Sequence, residues 1–499
     1  MLWLKTSIFL HPLKQSEGNK MEQIIKQTIQ KLSLPEITFA DVRITRTDNE
    51  FIAFQNGYLR AYGTNLDSIA LGIRVLINGC WGFAGTRDLS NNSINKAINT
   101  AISNARYGSI FQKNKVEFPP LSPVQAEYEH HPEQDPFKMA KEEKIDYLQR
   151  LAEAIKPQGK IVHSVVYAMF MRQEKYYTNS EGTYSHSTYY NTLPMMEVLA
   201  SDGAQVQSRT WPGHMGAGRA GFELFHKHKF EENTERIIKE ATDLLSAPTI
   251  EEDKADIIIG SGHLALQLHE SVGHATEADR IFGMEISYAG KTFIKPEMIG
   301  TFPYASPVVN IFSDSTDPRG MGYHPVDDEG VPGKKVDIIK NGILVNQQTS
   351  RQIAHLLGLE PSSNMKASYG DDFPLVRMTN FCLAPGEGTL DQLIADTEHG
   401  YLLDFTKTWS IDDNRNNFQF TTEIGYRIEK GKIVGIVKEP TYYGITKEFW
   451  NSCDRVCGPE EWDYQSTFNC GKGEPGQSMQ LSHGVAPARF RNIDVRVKI

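Results

Sequence analysis

Residues 264–280 read LALQLHESVGHATEADR, and this stretch places His269 and His274 on either side of Glu270. The run DIIIG at 256–260 predicts a buried strand, after which Ser261 is positioned to cap the helix that carries the motif. A zinc-protease helix of the His-Glu-x-x-His kind sets its histidines four residues apart on one face, with the glutamate as general base. Here the separation is five. In a regular α-helix that puts the two rings about 140° apart and roughly 7.5 Å along the axis. They would not share one ion. One extra residue in the turn, as in a π-bulge, brings them back together, and Gly273 offers backbone freedom for such a distortion. The alternative is two unrelated histidines on an ordinary helix. A catalytic zinc takes three protein ligands and keeps one position for water. The residues themselves leave the third ligand open among Glu277, Asp279, His483 and the late cysteines, of which Cys470 lies in the glycine-dense NCGKGEPGQS.

The rest of the chain limits what such a site can belong to. A length of 499 residues with 39% hydrophobic content predicts two or more domains with sizeable cores. With 52 basic against 62 acidic residues and no long basic run, the footprint that a phosphate backbone requires is missing, so no nucleic-acid partner is expected. Five scattered cysteines, Cys80, Cys382, Cys453, Cys457 and Cys470, do not make a disulfide framework and fit a reducing compartment. The first twenty residues contain a short apolar run broken by Lys5 and read as an extension, or as a start placed upstream of Met21. No later apolar run approaches the ~18–20 residues of a membrane span. No membrane association is expected, and the cytoplasm is the expected location.

Residues 37–85 alternate apolar and polar, with turns expected at TDN, QNG and ING. In SINKAINTAISNAR, residues Ile94, Ala97, Ile98, Ala101, Ile102 and Ala105 form one helical stripe. KEEKIDYLQRLAEAIK repeats the pattern after a proline-rich surface connection, and a third helix carries Ile237, Ile238, Ala241, Leu244 and Leu245. SAPTIEEDKA at 246–255 reads as the linker between halves. Beyond it, KVDIIKNGILVNQQ and YRIEKGKIVGIVKE read as hairpins. Strands and helices run in blocks, which predicts the α+β class. The expected layout is a mixed α+β domain over 21–245 and a hairpin-rich, largely β domain over 256–499 that carries the motif helix.

Peptide hydrolysis also needs a donor for the developing oxyanion, and Arg377, His324, Tyr323 and His483 are equal candidates. The trio Asp327-Asp328-Glu329 reads as a solvated turn ahead of a strand, or else as acidic support for a metal-bound imidazole. Cys453 and Cys457 read as structural.

Several long motifs in order resemble the TldD/PmbA family, whose members were once named modulators of DNA gyrase. They are FQNGYLRAYGTNLDSIALGIRVLINGCWGFAGTRDLS at 54–90, HESVGH at 269–274, DDEGVPGKKVDIIKNGILV at 327–345, FPLVRMTN at 373–380 and CGKGEPGQ at 470–477. The resemblance runs through nearly all of the chain after Met21. It implies a TldD-type zinc metallopeptidase, since the PmbA/TldE-type relatives lack the His-Glu-x-x-x-His motif. It further implies that His269, His274 and Cys470 bind Zn²⁺ and that Glu270 is the catalytic glutamate. The cysteine loop departs from the family's compact form through the inserted Glu474 and Pro475. The implied substrates are unfolded or short polypeptides, and the implied assembly is a homodimer or a heterodimer with a PmbA/TldE-type partner. The competing readings are a non-proteolytic regulator, as the older family name suggests, and a zinc amidase or deacylase.

Overall fold

The structure, a computed structural model, describes residues 12–284, 290–473 and 475–495. Most of the expected N-terminal extension, residues 1–11, lies outside them, as does Glu474 of the cysteine loop. Residues 12–20 begin the first helix, α1 (Pro12–Lys31).

One sheet runs through the N-terminal half. Its strands are β1 (Ile37–Gln55), β2 (Tyr58–Ile77), β3 (Cys80–Thr86), β4 (Gln125–Glu129), β5 (Ile161–Asn179), β6 (Tyr184–Ser201) and β7 (Val206–Trp211). They pair in the order β3-β2-β1-β5-β6-β4, with β7 also on β6. Asn56 and Gly57 make the β1–β2 hairpin with φ of 54° and 86°, the left-handed pair that a two-residue turn of this hand requires. The turn expected at TDN is instead a register shift between Thr47 and Asn49 inside β1. The extra residue is on the partner strand, where β2 advances three residues from Ser68 to Asn65 and Asp67 takes a φ of 56°, while β1 runs on unbroken beside β5.

β1 is long enough to serve two cores. Ala40, Val42 and Ile44 pack with β2, with α1 and with the predicted stripe of α2 (Asn91–Phe111), all six residues of which are buried. Ile52 and Phe54 pack with β5, β6, α3 (Lys141–Ala154) and α5 (Phe230–Leu244), which follows the short α4 (Leu224–Lys227).

The C-terminal half opens with β8 (Lys254–Ile259) and α6 (Ser261–Leu268). Further along come β9 (Ile311–Asp314), β10 (Lys335–Lys340), β11 (Ile343–Leu344), α7 (Arg351–Leu357), β12 (Met365–Lys366), β13 (Leu375–Val376), β14 (Asn380–Leu383) and α8 (Leu390–Ala395). The chain finishes with β15 (His399–Ile411), β16 (Asn417–Glu429), β17 (Lys432–Lys438), β18 (Thr441–Ile445), α9 (Thr446–Asn451), β19 (Cys453–Val456), β20 (Asp463–Lys472), β21 (Gln477–Val485) and β22 (Ala488–Asp494). Both predicted hairpins are present, β10–β11 and β16–β17.

Pairing in the order β15-β8-β22-β18-β16 closes on itself through β15–β16, and β17 and β19 extend it at the side. The second sheet runs β11-β10-β9-β14-β21-β20. Two of these pairings are parallel, β8 with β15 and β14 with β21, and local hairpin patterns cannot reveal such pairs. α6 packs against β15 of the first sheet and β20 and β21 of the second, so the motif helix sits between them. Its N-cap is Gly260, without a side-chain cap, and not Ser261, which is the first residue of the helix. A Cβ at position 260 would stand 2.5 Å from the Asp404 carboxyl group, so glycine is what lets β8 turn into the helix so close to β15.

The trio read as a solvated turn is buried between the halves. Asp328 pairs with Lys175 of β5 at 2.6 Å, and Glu329 meets Arg74 of β2 at 3.3 Å and accepts the Arg351 backbone N–H at 2.7 Å. Among the described residues no helix is long and apolar enough to cross a membrane.

Candidate metal centre

The helix that starts as α6 widens over His269–Gly273 into a π turn, then tightens over His274–Thr276. The wider turn moves His274 back over His269, and the two ring centroids lie 4.6 Å apart, nearly perpendicular. Gly273 serves a different purpose from the one its sequence context suggests. Its φ of −55° and ψ of −60° are ordinary helical values that any residue adopts. What excludes a side chain is Met378, whose Sδ would stand 2.2 Å from a Cβ at this position. Gly273→Ala should therefore destabilise the protein by about 1–3 kcal/mol through overpacking, and Gly273→Ala with Met378→Ala should cost less than the sum of the two separate losses. Denaturant titration of the three variants checks this, and an unchanged midpoint in Gly273→Ala would contradict it.

Cys470 reaches the pair from β20, just beyond a register shift between Thr467 and Cys470. Its Sγ is 3.7 Å from His274 Nε2, and donor atoms of His269, His274 and Cys470 all lie within 4.8 Å of one another. All three residues are buried. Burial opposes ionisation of the Cys470 thiol, but Arg377 and His274 outweigh it and hold the thiol below its usual range. That favours the thiolate, the form that ligates metal.

The imidazoles are set in one tautomer by groups behind them. His483 Nδ1 is 2.8 Å from the Phe381 carbonyl oxygen, which can only accept, so Nδ1 carries the proton. Its Nε2 is then the acceptor for His269 Nδ1–H at 2.8 Å, which leaves the lone pair of His269 on Nε2. Burial holds both rings neutral, with His269 pushed down to about 4 and His483 well below its usual value. His274 Nδ1 lies 2.9 Å from Glu277 Oε2 and 3.3 Å from Arg280 Nη2; the shorter contact, to a carboxylate that can only accept, puts the proton on Nδ1 and the lone pair on Nε2, the atom that faces Cys470. A carboxylate or carbonyl behind the ring is the usual support of a metal-binding histidine. Two imidazoles that present Nε2 and one thiolate form a donor set that suits zinc. His483→Phe, which removes the acceptor behind His269, should weaken metal binding about 10–100-fold. Competition with a chromophoric chelator measures it, and parental affinity in the variant would remove the relay from the account.

The other candidates for the third ligand are occupied elsewhere. Burial raises the Glu277 carboxyl, but Lys472, Arg280 and His274 overcome this and hold it well below the carboxylate range. Arg280 Nε donates to it at 2.9 Å, while Lys472 Nζ donates to Asp279 at 2.9 Å and to the Val376 carbonyl at 2.6 Å. Lys472 thus anchors the cysteine loop to the segment after the histidines. Cys453 and Cys457 are free, buried thiols in and just after β19, outside the cluster.

Glu270 borders a cleft of about 400 Å³ together with His269, His274, Trp409, Arg415 and Cys470. Trp409 Nε1 donates to its Oε1 at 3.1 Å and Arg415 Nη1 to its Oε2 at 2.5 Å. Burial pushes the carboxyl up, yet the pull of the neighbouring His269, His274 and Arg415, with the indole N–H of Trp409, brings it below its usual value. Glu270 is therefore ionised at neutral pH. Sequence reading missed both of its partners. Trp409 stands near the end of β15 and Arg415 on the short connection from β15 to β16.

None of the four candidate oxyanion donors lines this cleft. Arg377 donates to the Cys470 carbonyl, His483 stands behind His269, and Tyr323 and His324 line a different cavity.

Fold and donors together define a class: a multidomain, strand-rich protein with two histidines and a cysteine gathered around a distorted helix, in a set able to ligate a metal. Residues 40–105, 134–247 and 252–495 match, in turn, domain 1, the central domain and the C-terminal domain of the PmbA/TldA metallopeptidases. The chain belongs to the PmbA/TldD family. A metalloprotease of Methanothermobacter thermautotrophicus is 30% identical over 91% of this chain and 95% of its own length. A zinc metalloprotease TldD homolog of Saccharolobus solfataricus is 25% identical over 92% of this chain and 96% of its own. Among solved structures, a modulator of DNA gyrase from Thermotoga maritima shares the fold with a TM-score of 0.73 at 20% identity, covering 95% of this chain and all 100% of that one. TldE from Thermococcus kodakarensis aligns with a TM-score of 0.67 at 17% identity, covering 96% and 100%.

Proposed function

We propose that the chain is a zinc metallopeptidase that cleaves unfolded or short polypeptides, with His269, His274 and Cys470 as ligands and Glu270 as general base. The observation that carries this reading is the pair of imidazoles whose Nε2 lone pairs are preset toward the Cys470 thiol, with an ionised glutamate alongside. Zinc at these donors supplies Lewis acidity, making a water acidic near neutral pH and polarising a peptide carbonyl. Glu270, oriented by Arg415 and Trp409, takes the proton of the attacking water and returns it to the departing amine. Asn469 and Arg415, both on the cleft wall, are the polar side chains offered to the oxyanion.

Substrate choice follows from β20, which carries Cys470 and is the last strand of its sheet, with its outer edge already bridged at Ser466 by the 215–217 segment and the stretch beyond Ser466 left as the edge in question. An extended chain can add to such an edge through backbone hydrogen bonds, with little demand on sequence. A folded substrate offers no free strand. Full-length protein should therefore cut a reduced, alkylated polypeptide and spare the same polypeptide when folded. Equal cleavage of both, followed by gel electrophoresis, would contradict this. All five cysteines are free thiols, which supports the cytoplasm as the location. The likeness to a solved TldE supports assembly as a homodimer or with a PmbA/TldE-type partner.

A further inference from the structure

A second cavity lies apart from the metal cleft, where β5 and β6 of the N-terminal sheet meet β12 and β21 of the C-terminal half. It encloses about 60 Å³. A water occupies roughly 10–15 Å³ on this measure, so there is room for about four or five non-hydrogen atoms. That size excludes a nucleotide or a peptide and admits a small ion.

The wall carries more positive than negative charge. Lys175 is matched by Asp328 at 2.6 Å. Lys366, on β12, has no hydrogen bond or ion pair from its Nζ among the described residues, and burial with the like charges of Lys175 and Arg219 pushes its ammonium down to about 7. Arg219 lies over the Tyr189 ring at 4.6 Å and gives one hydrogen bond, from Nη2 to the Met321 carbonyl at 2.9 Å. Its Nε and Nη1 are buried without a partner. Asp327, the acid on the wall, does not balance them. It accepts the backbone N–H groups of Glu329, Val331 and Met365, and burial with the neighbouring charge of Glu329 raises its carboxyl to about 8, so that it is mostly neutral at pH 7. His324 is buried and neutral, pushed down to about 3 by burial and by Lys366 and Lys175. Arg219, a cation, and Lys366, an amine poised between its charged and neutral forms at pH 7, thus line one small cavity from the two halves of the chain, and the nearest ionised carboxylate, Asp328, is already paired with Lys175. Buried charge of this kind is retained where something pairs with it.

We propose that this cavity is a binding site for one small oxyanion of the carboxylate or phosphate type, held between Lys366 and Arg219. Such a ligand would join the central sheet to the C-terminal half, in a cavity distinct from the metal cleft whose lining residue Met479 is the strand partner of Cys470. Isothermal titration of the full chain with phosphate, sulfate and acetate, at ionic strength fixed with chloride, tests the idea. One saturable site per chain is expected. Saturation by phosphate or sulfate alone identifies a free inorganic oxyanion, whereas saturation by acetate alone identifies a carboxylate end. Lys366→Met should bind at least tenfold more weakly, and Lys366→Arg should retain binding. No saturation beyond the chloride control overturns the proposal, as does undiminished binding by folded Lys366→Met. Should that variant fail to fold, crystals of the parent chain grown with selenate decide the matter. An anomalous peak between Lys366 and Arg219 supports the site, and a map with none there overturns it.

Discussion

Glu270→Gln should lower kcat for peptide hydrolysis by about 10²–10⁴-fold, roughly 3–5 kcal/mol of transition-state stabilisation, while KM and bound metal stay close to the parent. Glutamine keeps the volume of glutamate, but its one carbonyl oxygen can take the place of only one of the two carboxylate oxygens that accept separately from Trp409 Nε1 and Arg415 Nη1. It cannot take up a proton. The loss therefore falls on the step in which a water is deprotonated and not on substrate capture, which is why kcat should carry the change. Losing the ionic partner of Arg415 should also reduce stability by about 1–3 kcal/mol, so the comparison belongs at a temperature where both proteins are folded. Steady-state kinetics on an unstructured peptide, with metal content measured on the same samples, checks the prediction. A variant within tenfold of the parent would remove Glu270 from the role of general base.

Cys470→Ala should lose the metal. Apparent binding free energies of protein zinc sites are on the order of 10–16 kcal/mol, so removing one ligand of three forfeits about 4 kcal/mol, or roughly a thousandfold in affinity. Activity should fall in parallel and return only at high added zinc. The rest of the site argues that the effect is local. Arg377 binds the Cys470 backbone carbonyl, not its sulfur, and Lys472 keeps the loop attached to Asp279 and Val376 whatever residue stands at 470. If the variant retained metal as tightly as the parent, the third ligand would lie elsewhere.

Much of this arrangement could be read before any coordinates, and the exceptions share a cause. Local periodicity marked the α2 stripe and the hairpins, because a helix face or a two-residue turn is encoded within a few residues. The five-residue histidine spacing implied a widened turn, and the π turn is present. Side-chain chemistry alone left Glu277, Asp279, His483 and Cys470 as equals. What separates them is Lys472 and Arg280 engaging the carboxylates, and Phe381 fixing the proton of His483. The partners of Glu270 lie 139 and 145 residues away along the chain, one in β15 and one on the connection that follows it. Asp-Asp-Glu-Gly reads as a turn to any local rule, yet Lys175 and Arg74, from two other strands, make it interior. Gly273 illustrates the same limit, since the reason for glycine is Met378, which lies 105 positions later in the sequence. Long-range contacts decided each of these outcomes.

The central claim is that two histidines five residues apart and a distant thiolate hold one zinc. Zinc K-edge X-ray absorption on the purified full chain tests it most directly. The account predicts about one zinc per chain with one sulfur near 2.3 Å and two imidazole nitrogens near 2.0–2.1 Å. A first shell without sulfur, or a chain that holds no zinc after reloading, would contradict it.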